Sequence, residues 1–220
     1  VRALSGIPYR FGGVVIVVVC VGYTALGGLH AVVGTDFIQS VLILVGLVVV
    51  GVVAFSRIEP AAIHATLSAE RPALLDLLVP ASIMFLFNNL LFGLGEIFHS
   101  NVWWSRALAF RRGVGFRAYL IAGLAWLPVP IAAGVLALMA PALDLNVPAL
   151  DMVGPLVAAS LMGKAGAVLI FVVVFSSLAS SLDSLLAATT DLLVEDVYRR
   201  LRPEAGGAEL KRVARWLVIG

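Results

Sequence analysis

Charged residues and cysteine are both scarce in this chain of 220 residues. Charged residues make up 13%, whereas a soluble domain carries roughly 25%. The formal net charge of +2 is too small to indicate a nucleic-acid partner, which a strongly basic surface would favour. Cys20 is the single cysteine, which excludes an internal disulfide framework and a thiolate metal site.

Apolar sequence takes the place of the missing charge. Hydrophobic residues make up 61% of the chain, and the mean hydropathy is +1.07. Several apolar stretches approach the roughly 20 residues that a helical membrane span needs. The sequence therefore predicts an all-α protein of the lipid bilayer with about five transmembrane helices. These spans are predicted at residues 11–25, 32–55, 78–104, 119–143 and 165–191.

The segments between the predicted spans have compositions of their own. Gly27 and Gly28 interrupt the apolar run between the first two spans. Residues 56–77 contain charges and prolines, which predicts an exposed loop. Residues 148–162 are apolar but short, and the Met-Gly-Lys that ends them favours a helix at the membrane interface over a full span.

Lysine and arginine orient the predicted spans, because cytoplasmic loops carry an excess of both. Ten of them fall on one predicted side and five on the other, so the first side is assigned to the cytoplasm and the chain to a plasma or inner membrane. The ten are Arg106, Arg111, Arg112, Arg117, Arg199, Arg200, Arg202, Lys211, Arg212 and Arg215, and the five are Arg2, Arg10, Arg57, Arg71 and Lys164. Asp36 and Asp191 then lie near the cytoplasmic ends of the second and fifth spans.

The two ends of the chain predict that it is part of a longer protein. It begins at Val1 without methionine or a signal-peptide pattern. Residues 211–220 are similar to the start of a further span. We therefore expect residues 1–220 to form one transmembrane domain fragment.

Hydroxyl side chains line one face of the last predicted span. Ser177, Ser180 and Ser181 are spaced i, i+3 and i+4, so they share a helix face, and Ser184 and Asp191 continue it. Inside a membrane such groups need partners. Oxygen ligands suit hard cations, so this face is a candidate sodium site. Close helix packing with hydroxyls bonded to their own backbone is the alternative.

Ionisable residues within spans are candidates for function because they are costly in lipid. Asp36, with Gln39 and Ser40 three and four residues later, is a candidate cation ligand or proton relay facing the serines. The alternative is a carboxylate placed at a helix start by the helix dipole. Asp183 lies roughly 60° or more around the helix from Ser180, so it is expected to face a neighbouring span.

The third span contains a candidate solute-binding segment. Gly93 and Gly95 weaken the helix before Glu96, and broken helices in transporters expose backbone groups to solute. Glu96, His99 and Asn101 could line such a break. Two alternatives are that Glu96 and His99 satisfy each other, or that they act as acid and base in a membrane enzyme.

Two segments of the chain resemble the sodium:solute symporter family. Residues 23–39, YTALGGLHAVVGTDFIQ, are similar to its Tyr-(Thr/Ser), Gly-Gly, Ala-Val, Thr-Asp and Gln signature. Residues 180–199 are similar to its sodium-site helix, in which a hydroxyl pair stands sixteen and fifteen residues before the Asp of an Asp-x-Tyr-(Lys/Arg) ending. Ser180 and Ser181 precede Asp196 at those distances.

The resemblance covers essentially the whole chain and implies the middle of a LeuT-type inverted-repeat fold. It also implies symport of a small organic solute with sodium by alternating access. In the family the paired hydroxyls, here Ser180 and Ser181, bind the main sodium ion with backbone carbonyls of a helix expected upstream of Val1. Asp36 and Ser177 match the positions that bind a second sodium ion in some members.

The solute is left open by the sequence. Residues 95–109 are similar in spacing to the (Tyr/Trp)-Trp-x-Arg-Ala segment of the urea-transporting branch, but Ser100 stands where that branch has an acidic residue. Carriers of proline, sugars, sialic acid and carboxylates also belong to the family. A proton-coupled carrier and a transporter-like sensor that does not transport are the remaining alternatives.

Overall fold

The computed structural model describes residues 8–219, which form helices joined by short turns, with no strand among them. The longer helices are Tyr9–Arg57 (α1), Pro60–Glu70 (α2), Pro80–His99 (α3), Asn101–Ala109 (α4), Gly115–Trp126 (α5), Pro128–Ala142 (α6), Val153–Leu192 (α7) and Gly207–Ile219 (α8). A π-helical turn, Leu193–Tyr198, and a short helix, Arg199–Leu201, follow α7. Val1, Arg2 and Gly220, used above for the chain ends and the charge count, lie outside the described residues.

Four helical stretches of residues 8–219 are long and apolar enough to cross a membrane. They are Arg10–Arg57, Pro80–His99, Gly115–Ala142 and Leu150–Leu201. The prediction of an all-α membrane protein is confirmed. Its division into five spans stays a prediction, because the first two predicted spans fall within α1.

Glycine interrupts both of the longest helices. Gly28 in α1 has φ 57° and ψ −147°, and Gly163 in α7 has φ 60° and ψ −139°. Only glycine adopts this region readily, since it has no Cβ to clash with the backbone. Both breaks occur where the sequence predicts an interruption, at Gly27-Gly28 and in the Met-Gly-Lys of residues 162–164.

The segments on either side of α3 differ from the sequence prediction. The predicted loop at 56–77 contains α2, which begins with proline at its first position, where proline fits a helix well. Ile63 and Leu67 of α2 are buried, and α2 packs against α6. The predicted span at 78–104 is divided, because Ser100 is extended between α3 and α4.

The described residues separate into two compact units. The first contains the chain up to Ile43, Ser100–Gly115 and the chain from Val173. The second contains Leu44–His99 and Phe116–Val172. All four predicted sodium ligands lie in the first unit, so the site is built from the first part of α1, from α4 and from the second part of α7.

Candidate functional site

The chain reverses direction at Gly28, and this places two parts of α1 beside α7. Tyr23 and Thr35 lie on opposite sides of Gly28, yet both hydroxyls reach Oδ2 of Asp183. In an unbroken helix, twelve residues would separate them by about 18 Å along the axis, too far for two side chains to share one atom. Two separate spans on either side of Gly28, as the sequence predicts, would require such a reversal.

Asp36 lies at the centre of one polar group, which we call the Asp36 cluster: Asp36, Arg106, Ser180 and Ser184. Arg106 Nη2 lies 2.7 Å from Asp36 Oδ2 and 2.7 Å from Ser184 Oγ. Ser180 Oγ donates a hydrogen bond to Asp36 Oδ1. The Arg106 and Asp36 side chains are 19% and 20% exposed, so this ion pair is largely withdrawn from solvent.

A second group, the Asp183 cluster, consists of Asp183, Tyr23, Thr35 and Ser184. Asp183 is fully buried and accepts a hydrogen bond from the Tyr23 hydroxyl. Thr35 Oγ1 lies 3.4 Å from Oδ2, and Ser184 Oγ lies 3.4 Å from Oδ1. Within residues 8–219 no lysine or arginine forms an ion pair with Asp183, so hydroxyls are its polar partners there.

The predicted serine face divides into two rows. Ser180 and Ser184, four residues apart, point into the Asp36 cluster. Ser177 and Ser181 are exposed, and Ser181 Oγ donates to the backbone oxygen of Ser177 at 3.1 Å. The structure therefore brings Asp36 and Ser180 into contact, while Ser177 and Ser181 form an outward row beside them.

The three predicted solute-binding residues are divided between the two units. Glu96 and His99 belong to the second unit and are exposed. His99 Nδ1 lies 2.8 Å from the backbone oxygen of Gly95, which gives its ring a partner other than Glu96. Asn101 belongs to the first unit and donates from Nδ2 to the backbone oxygen of Ala188 at 3.2 Å.

A cleft of about 330 Å³ lies beside the break at Gly28 in the first unit. Its polar lining residues are Thr24, Thr190, Asp191, Lys211 and Arg215. Asp191, which the sequence placed on the serine face, therefore lies at this cleft rather than in the Asp36 cluster. The Thr24 hydroxyl is buried and has no hydrogen-bond partner among residues 8–219.

Oxygen atoms are the donors that this part of the first unit offers to a cation. Nowhere in the described residues do three His, Cys, Asp or Glu side chains converge on a metal position. Hydroxyls, backbone carbonyls and single carboxylates remain, which suit sodium better than transition metals. The serine rows and Asp36 supply oxygen atoms of this kind.

Sequence reasoning missed Arg106 and Tyr23 as members of the site. The sequence assigns Arg106 to the cytoplasmic charges, since an arginine at the end of a span usually faces the headgroups. Tyr23 stands in the family-like signature but carried no spacing that pointed to Asp183. Both contacts join residues more than 65 positions apart in the sequence, which one-dimensional periodicity does not detect.

The chain is similar to known transporters. It is 31% identical to the urea-proton symporter DUR3 of Oryza sativa subsp. japonica, an alignment that covers 100% of this chain and 35% of the relative. It is 29% identical to the probable urea active transporter 1 of Schizosaccharomyces pombe, over 86% of the chain and 33% of the relative. It is 26% identical to the osmoregulated proline transporter OpuE of Bacillus subtilis, over 97% of the chain and 45% of the relative.

The chain spans about a third of the length of the first two relatives. No solved structure matches it significantly. These relatives are named as transporters and none as an enzyme, which removes the enzyme alternative for Glu96 and His99. The model of the sodium:solute symporter family matches residues 1–220. The chain therefore belongs to the sodium:solute symporter family.

Proposed function

We propose that the protein containing this chain moves a small polar solute into the cell together with sodium. The observation that carries this proposal is the hydrogen bonding of the paired serines. Ser180 donates its hydrogen to Asp36, and Ser181 donates its hydrogen to the Ser177 carbonyl. A hydroxyl whose hydrogen is already donated keeps its oxygen lone pairs free for a cation.

The main sodium ion would be held by three serines of α7, Ser177, Ser180 and Ser181. Backbone carbonyls of the upstream helix that the family resemblance implies would complete the site. Sodium that binds better when those two helices are close favours the conformation in which they are close. In an alternating-access cycle this would stabilise the outward-open state before the solute binds. Glu96, His99 and Asn101 are proposed to lie along the solute path.

Urea is the solute we propose to test first. The rice and fission-yeast relatives are named for urea, and the Bacillus relative is named for proline. Both solutes are small and carry hydrogen-bonding groups without a net charge, which fits a path lined by neutral and singly charged side chains. Proton coupling is the second candidate, since the rice relative is named a urea-proton symporter.

The test is uptake of labelled urea and labelled proline by the full-length protein in proteoliposomes. An inward sodium gradient should drive uptake above the level reached with choline, and a sodium ionophore should abolish the difference. Equal uptake in sodium-free medium under an inward proton gradient would show that protons, rather than sodium, are the coupling ion. If neither solute is taken up under any gradient, the result would favour a transporter-like sensor that does not transport.

Ser181→Ala should raise the sodium concentration for half-maximal uptake by about tenfold, equivalent to about 1.4 kcal/mol of binding free energy. Ser56→Ala is the matched control, because Ser56 also donates to a backbone carbonyl within its helix, that of Val53 at 2.8 Å. The control should keep the wild-type sodium response. Unchanged sodium activation in Ser181→Ala would remove this residue from the ion site.

A further inference from the structure

We propose that the cleft beside Gly28 binds a phosphate group of single negative charge, held by Lys211 and Arg215 of α8. Such a phosphodiester is found in anionic lipid headgroups and in their soluble counterparts. The cleft lies in the first unit, and none of its lining residues belongs to the Asp36 or Asp183 cluster. The inference goes beyond the proposed transport function, because it does not depend on which ion or solute is carried.

The charged side chains of the cleft favour an anion. Lys211 and Arg215 are four residues apart on α8, so they share one helix face, and both line the cleft. Neither forms an ion pair within residues 8–219, so their donor groups are available there to a ligand. Asp191 is the acidic residue of the lining. Two cations against one carboxyl group leave an excess of positive charge, which suits a phosphate with a single charge.

The wall that α1 contributes to the cleft carries a hydroxyl without a partner. Thr24 lines the cleft and is 2% exposed, and its hydroxyl has no hydrogen-bond partner among residues 8–219. A buried hydroxyl is costly to leave unpaired, so an acceptor oxygen at this wall would stabilise it. The oxygens of a phosphodiester are acceptors, and they therefore complement Thr24 as well as the two cations.

The position of the cleft favours a lipid as the source of the phosphate. Gly27 and Gly28, where α1 reverses, are part of the lining. A reversal between two spans belongs at a membrane surface, because the backbone groups of a turn lack partners in hydrocarbon. Leu26 of the lining is 81% exposed, and Trp216, which follows Arg215, is 69% exposed. Exposed apolar side chains beside cations are typical of a surface at the level of the headgroups.

The experiment is native mass spectrometry of the purified full-length protein, freed of lipid in detergent and titrated with phosphatidylglycerol or phosphatidylcholine. Phosphatidylglycerol has a net negative charge and should bind more tightly than phosphatidylcholine, which has none. Lys211→Gln combined with Arg215→Gln should weaken phosphatidylglycerol binding by about 25-fold, since each cation near an anionic headgroup contributes about fivefold. Arg212→Gln is the matched control and should bind like wild type, because Arg212 is exposed on the same helix and does not line the cleft.

The contribution of Thr24 is tested separately from that of the cations. Thr24→Val keeps the shape of the side chain but removes the donor, and it should weaken phosphatidylglycerol binding by about tenfold. Thr24→Ser keeps the hydroxyl and should retain most of the affinity. Thr24→Val should not melt below the wild-type protein in lipid-free detergent, because its hydroxyl has no partner within residues 8–219. Weaker binding would then not reflect unfolding.

Deacylated phosphatidylglycerol, which is the soluble headgroup, distinguishes the two sources of phosphate. Competition at the affinity of the lipid would assign the site to a phosphodiester from solution, and no competition would assign it to the lipid.

Three outcomes would overturn the inference. One is equal binding of the two lipids, and another is wild-type binding by the Lys211 and Arg215 double variant or by Thr24→Val. The third is an equal loss in Arg212→Gln, because the charge of the whole surface would then explain the binding. Sodium-independent uptake would contradict the proposed function and leave this binding unchanged.

Discussion

At the residue scale, two carboxylates of the first unit are stabilised in different ways. Asp36 is paired with a guanidinium, whereas Asp183 is fully buried and contacts hydroxyls. Hydroxyl donors stabilise a buried carboxylate less than a cation does, so each donor to Asp183 matters individually. The Tyr23 hydroxyl is one of these donors.

Tyr23→Phe should therefore destabilise the protein. Removing the donor leaves a buried acceptor partly unsatisfied, at a cost of about 1.5–3 kcal/mol. Thr24→Val, at the next residue of α1, is the matched control, because its buried hydroxyl has no partner in the described part of the chain. We expect a lower melting temperature for Tyr23→Phe in detergent and an unchanged or higher one for Thr24→Val. Equal melting temperatures would mean that the Tyr23 bond contributes nothing net.

At the element scale, the site depends on the reversal of α1 at Gly28. The contacts of Tyr23 with Asp183 and of Arg106 with Asp36 lie on either side of it. A residue with a Cβ is strained at φ 57°, ψ −147°. Both polar clusters therefore lie next to a backbone conformation that glycine adopts more readily than other residues.

Gly28→Ala should lower the free energy of unfolding by about 1–3 kcal/mol, the usual cost of such backbone strain. Gly22→Ala is the control in the same helix, because a Cβ there would meet no atom within 4 Å. Alanine should be neutral or stabilising at that position. Thermal melting and the yield of monodisperse protein measure both effects. A Gly28→Ala protein as stable as Gly22→Ala would contradict the strained conformation.

Local sequence features predict part of this architecture. The long apolar runs and the two glycine breaks are local features, so the helices and their interruptions were predictable. Helix α2 was not, because the charges and prolines at its ends outweighed the buried pair Ile63 and Leu67. In the site, the contact of Asp36 with the serine face was anticipated. The contact with Arg106 was not, since it depends on how α4 packs.

At the scale of the whole molecule, the arginine-rich segments predict an orientation in the membrane. Arg111 and Arg112 follow α4, while Glu70 and Arg71 follow α2, with α3 between the two segments. If α3 crosses the bilayer, the two segments lie on opposite sides. The excess of positive charge then predicts that residues 106–117 face the cytoplasm.

Cysteine labelling tests this orientation, because Cys20 is the chain's single cysteine and is buried. In intact cells, a membrane-impermeant maleimide should label Glu70→Cys and leave Arg112→Cys unlabelled until the cells are opened. The full-length protein would carry these changes in a background without other cysteines. The opposite labelling pattern would invert the orientation, and labelling of both in intact cells would contradict a span between them.

Ser184 touches both polar clusters, and a hydroxyl has one hydrogen to donate. Its oxygen lies 3.5 Å from Asp36 Oδ2 and 3.4 Å from Asp183 Oδ1. It can therefore serve one carboxylate only by turning away from the other. If Arg106 moved away from Asp36, the Ser184 hydroxyl would be drawn towards Asp36, and Asp183 would lose that hydrogen-bond donor. The two carboxylates therefore compete for one hydroxyl hydrogen, and rotation of the Ser184 side chain couples them.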